Sequence, residues 1–116
     1  MNLLQDPPPG FDGVAKAFAM ARLLPTTHRL NVRLGLLRDG VLFADGNLDG
    51  YRQVNYFCEH LRELGWRERL LGGDEEMFGC DIVFMHPSDL RDDDDPSFIR
   101  RTPVELWPAR GTHADP

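Results

Sequence analysis

The stretch "HRLNVRLGLLRDGVLFADG", His28 to Gly46, decides the fold. Leu30, Val32, Leu34 and Leu36 fall at every second position and alternate with polar or small residues, which is the period of a half-buried strand. Asp39-Gly40 then interrupts the run. Glycine adopts positive φ without steric cost and aspartate tolerates the left-handed region, so the pair is a two-residue hairpin turn. Such a turn predicts Leu36 opposite Phe43, with both on one face.

Working outward, the segment before the hairpin is helical. In "FDGVAKAFAMARLLP", residues Phe11, Val14, Ala15, Phe18 and Arg22 recur at helical spacing, with Ala21 flanking. Asp12 is the expected cap and Pro25 the stop. After the hairpin, "DGYRQVNYFCEHLRELGW" carries an apolar stripe of Val54, Phe57, Cys58, Leu61 and Leu64. Asp49 is its expected N-cap, and Gly65 the residue just past its end. Glu59 and Arg62, three apart, are positioned to pair on the exposed side.

Two further strands follow. "WRERLL" sets Trp66, Glu68 and Leu70 opposite Arg67, Arg69 and Leu71, and "CDIVFM", Cys80 to Met85, is a short apolar run suited to a central strand. The order is α-β-β-α-β-β. It predicts an α+β fold: a four-stranded antiparallel sheet with two helices on one face. The arrangement is analogous to a circularly permuted ferredoxin-like topology, an analogy that carries no function. "TPVELWP" is a candidate fifth, edge strand, since Val104 and Leu106 share a side. Residues 1–10, with the proline run of "QDPPPG", read as a flexible arm, residues 11–107 as a single domain, and residues 108–116 as a frayed tail.

Composition narrows function. The chain has 116 residues, of which 41% are hydrophobic, enough for one domain with one core. Its formal charge of −6 repels phosphate backbones and anionic lipid heads, which argues against direct nucleic-acid or membrane binding and favours basic protein surfaces. Lys16 is the single lysine; every other basic side chain is arginine. No apolar run reaches membrane-spanning length and the start lacks a signal-peptide pattern, so a cytoplasmic protein is expected. Cys58 and Cys80 sit in apolar stretches without a CxxC spacing and read as buried free thiols.

The segment "MHPSDLRDDDDPSFIRR", Met85 to Arg101, concentrates the chemistry. His86 directly follows the proposed central strand, where a base oriented by Asp89 would be held rigidly. The plainer reading is a turn, with Pro87 at its second position and Ser88 and Asp89 satisfying backbone donors. Asp92, Asp93, Asp94 and Asp95 lack the glycine and closing glutamate of a calcium loop, and no histidine pair has zinc-ligand spacing, so neither a metal nor another cofactor is expected. Phosphate-binding glycine loops and the GxSxG elbow are absent.

The expected function is therefore a small acidic protein-binding module that inhibits or regulates a partner, of the immunity or phage anti-defence type. It would present carboxylates to a basic site, for instance on a nucleic-acid-processing enzyme or toxin. The candidate partner-binding residues are Asp89, Asp92, Asp93, Asp94 and Asp95, with Gln53, Tyr56 and His60, which form a line beside the buried stripe of the second helix. The alternative is a small enzyme or small-molecule-binding protein using His86, Asp89 and Cys80. A third reading pairs two copies through the "TPVELW" edge.

Overall fold

The computed structural model describes residues 1–27, 29–71 and 78–90. Strand β1 (Asn2–Leu3) is followed by helix α1 (Phe11–Arg22), strands β2 (Val32–Arg38) and β3 (Val41–Leu48), helix α2 (Tyr51–Glu63), and strands β4 (Arg67–Leu70) and β5 (Ile82–Met85). A single 3₁₀ turn, Pro87–Asp89, closes the described chain. Among the described residues no helix is long and apolar enough to cross a membrane.

The strands form one mixed sheet in the order β1-β3-β2-β5-β4. The expected α-β-β-α-β-β succession is present. The expectation of a wholly antiparallel four-stranded sheet is corrected, because β2 and β5 pair in parallel. Burial explains the choice. Leu34, Leu36 and Leu37 of β2 and Ile82, Val83 and Phe84 of β5 are buried on both faces, so these two strands take the centre. The more polar β3 and β4 lie outside them, and α2 spans from one to the other. Each central strand is antiparallel to its outer neighbour, and the two outer strands run the same way, so the central pair must also run the same way. The ferredoxin-like analogy, with antiparallel neighbours throughout, does not describe this order.

A fifth strand exists, but it comes from the N-terminus. Asn2 and Leu3 pair with Asp45 and Ala44 at the β3 edge, so the arm is tied to the sheet there. The "TPVELWP" candidate and the tail lie outside the described residues.

Asp39 and Gly40 both have positive φ, 55° and 74°, the conformation expected of the hairpin turn. The register then shifts. Leu37 pairs with Leu42, but Leu36 pairs with Ala44 and not with Phe43. Phe43 is the extra residue of a bulge, and its carbonyl accepts from the N–H groups of Leu4 and Gln5. The bulge still sends Phe43 to the helix side, where its ring meets Phe11 and Trp66.

Both helices cover one face of the sheet. Val14 and Phe18 of α1 and Val54, Phe57 and Leu61 of α2 pack on Leu34, Leu36, Leu48, Ile82 and Phe84. The other face holds a smaller cluster of Leu37, Leu71, Cys80 and Val83. The helices are antiparallel: Gly13 near the start of α1 lies beside Leu64 at the end of α2, and the α1 C-terminus meets Gln53 near the start of α2. Glycines, not the expected aspartates, occupy both N-caps. Gly10 and Gly50 stand there, leaving Asp12 inside the first turn of α1 and Asp49 one residue ahead of the α2 cap. Gly65 does follow α2 with positive φ, 96°.

Candidate functional site

The strand-end constellation is not assembled. The His86 Nδ1 accepts from the Ser88 backbone N–H at 3.0 Å, and the Ser88 hydroxyl stands 2.8 Å from the same nitrogen. A neutral imidazole has one ring lone pair, and here it serves the turn. The ring packs edge-on to Trp66 at 5.0 Å. Asp89 does not orient it: the carboxylate accepts from the Asp39 backbone N–H at 2.7 Å and so ties the 3₁₀ turn to the hairpin. Cys80 lies six residues before His86, roughly 20 Å along an extended chain. Its sulfur is buried on the sheet face opposite the helices, beside Gly35. His86, Asp89 and Cys80 therefore do three separate structural jobs.

The Gln53, Tyr56 and His60 line divides. Gln53 is buried, accepts from the Asp49 N–H at 2.9 Å and donates to the carbonyls of Leu24 (2.9 Å) and Arg22 (3.4 Å). Its amide holds the C-terminus of α1 to the N-terminus of α2. Tyr56 and His60 are half-buried and stacked, with ring centroids 4.0 Å apart. The His60 Nδ1–H donates to the Tyr56 carbonyl at 2.9 Å, which fixes the ring.

The most consequential departure concerns Arg62. It does not pair with Glu59. It turns inward and forms two parallel hydrogen bonds to Glu68, from Nε at 2.9 Å and from a terminal guanidinium nitrogen to the other carboxylate oxygen. The Glu68 side chain is 2% exposed and that of Arg62 35%. The signal was in "WRERLL": alternation puts Glu68 on the same side as Trp66 and Leu70, and a carboxylate on an apolar face requires a cation. Cys58 lies beside this pair. Burial, then the charge and hydrogen bonding of Glu68, push its thiol well above the ordinary value, while the Arg62 charge opposes them. The thiol is therefore held protonated, unlike a reactive nucleophile.

With Arg62 withdrawn, Glu59 and Glu63 stand exposed one helical turn apart, neither in an ion pair among the described residues. Beside them a groove of ≈ 230 Å³ runs between the helices, lined by Gly13, Lys16, Ala17 and Met20 of α1 and by Tyr56, His60, Glu63 and Leu64 on the α2 side. The other described ion pair, Arg33 with Asp45 at 2.7 Å, lies on β2 and β3. No group of three or more histidine, cysteine, aspartate or glutamate side chains is arranged for a metal among the described residues. Asp92, Asp93, Asp94 and Asp95 lie outside the described residues. Comparison with known family models, curated proteins and solved structures finds no significant match.

Proposed function

We propose that this chain is a small acidic binding module that regulates or inhibits a protein partner by laying carboxylates against a basic surface. One observation carries the reading. Glu68 draws Arg62 into the protein, and the outer face of α2 is left with Glu59 and Glu63, neither in an ion pair among the described residues, beside the fixed Tyr56–His60 stack. Such a face accepts arginine or lysine by charge, and aromatic rings beside carboxylates add a cation–π contact. The overall charge of −6 acts in the same direction by steering a basic partner toward the chain. Asp92 to Asp95 extend the carboxylate supply in sequence.

The test is association kinetics with a basic protein captured from the native host, measured at two salt concentrations. Glu59→Gln with Glu63→Gln, and separately a fourfold Asp→Asn change at residues 92–95, should slow association and flatten its salt dependence. Wild-type rates for both variants at low salt would remove the proposal.

A further inference from the structure

We propose that the outward face of α1, with the α1–α2 groove, is an interface with a second copy of this chain. A helix packed on a sheet ordinarily turns polar residues to solvent. Here Lys16 is followed on the outer side of α1 by Ala19 and by Met20, 46% exposed, with Leu23 just past the helix at 77%. Leu64, 47% exposed, forms the opposite rim of the groove that Met20 lines. Gly13 keeps the rims close: a Cβ there would stand 3.4 Å from Leu64. Isolated exposed apolar side chains need no explanation, but Met20 and Leu64 line one groove from opposite helices and Leu23 follows on the same side of α1, which marks a covered surface.

Charge selects the occupant. Lys16 from α1 and Glu63 from α2 line the same groove, and neither makes an ion pair among the described residues. A two-fold pairing repeats every contact with the roles exchanged. A face with one unpaired cation and one unpaired anion is therefore complementary to itself. Lys16 meets the partner subunit's Glu63, and Glu63 meets the partner subunit's Lys16, while Met20 and Leu23 of each copy fill the apolar groove of the other. The helices have 12 and 13 residues, about 18–20 Å in length. Laid side by side they offer a small footprint, at the size of a reversible interface. Glu63 would also face a basic protein under the reading above, so the two complexes exclude one another.

Sedimentation velocity of the full chain from low micromolar to near-millimolar concentration tests this. The wild type should shift from monomer to dimer. Lys16→Glu alone and Glu63→Lys alone should each stay monomeric, because each sets like charges in contact twice. An equal mixture of the two variants should form a dimer, since both contacts then join glutamate to lysine. Both variants remain net negative, so bulk attraction cannot produce that result. Met20→Glu in the wild-type background should weaken the dimer about tenfold or more by burying an unpaired charge. A wild type that stays monomeric throughout overturns the proposal, as does a mixture that fails to associate or a Met20→Glu chain that dimerises normally. Loss of the dimer with retained, Glu59-dependent binding of a basic protein would sink this inference and leave the preceding one standing.

Discussion

Replacing Arg62 with methionine gives the sharpest test of how α2 is held. If Arg62 paired with Glu59 on the helix surface, removing it would cost about 0.3–0.5 kcal/mol. The structure gives a larger figure. Glu68 is 2% exposed and takes two parallel hydrogen bonds from Arg62. Breaking a buried pair by removing one partner typically costs ~3–5 kcal/mol. Arg62 is 35% exposed, so water already screens part of the interaction, and about 2–3 kcal/mol is the expected loss. For a domain of this size each kcal/mol moves the melting temperature by about 4 °C, so a fall of roughly 8–12 °C should appear by circular dichroism or calorimetry. Much of that loss is the burden of a buried carboxylate without a cation. The double variant Arg62→Met with Glu68→Met should therefore recover most of it, and Glu59→Gln should move the melting temperature by no more than ~2 °C. A single variant Arg62→Met that loses less than about 1 kcal/mol would refute the inward pairing, as would a double variant no more stable than the single.

Two further tests address the core on each side of the sheet. Gly35→Ala places a Cβ 2.7 Å from both the Cys80 sulfur and a Leu42 methyl, so overpacking should cost ~1–3 kcal/mol in urea titration; an unchanged midpoint would mean that the face opposite the helices is loosely packed. The Cys58 thiol is raised in the folded chain, so the unfolded chain ionises first as pH rises, and the folded state loses stability through and above the ordinary thiol range of about 8.5. The alkaline loss should be smaller in Cys58→Ala, and identical pH profiles for the two proteins would contradict the burial of this group.

Local signals in the chain were read correctly where the deciding interaction is itself local. The hairpin turn at Asp39-Gly40 needs only two residues able to hold positive φ. The stripe of Val54, Phe57, Cys58 and Leu61 needs only helical spacing, and Gly65 only its freedom from a Cβ; Leu64, expected to complete the stripe, is instead the C-cap and 47% exposed. Alternation likewise set Glu68 on the same side as Trp66 and Leu70. Tertiary structure decided the rest, because each remaining choice was a competition between partners distant in the chain. The parallel β2–β5 pair follows from two doubly buried strands seeking the middle of the sheet, a comparison no single segment contains. Arg62 had a near carboxylate in Glu59 and a buried one in Glu68. The buried one prevailed because an uncompensated charge is tolerated in water and not inside the fold. Gln53 and Asp89 resembled surface groups in sequence, yet each bonds a backbone donor or acceptor that folding brings within 3 Å: the Leu24 carbonyl for one, the Asp39 N–H for the other. The outward face of α2 reflects the same competition: with Arg62 turned to Glu68, neither Glu59 nor Glu63 makes an ion pair among the described residues.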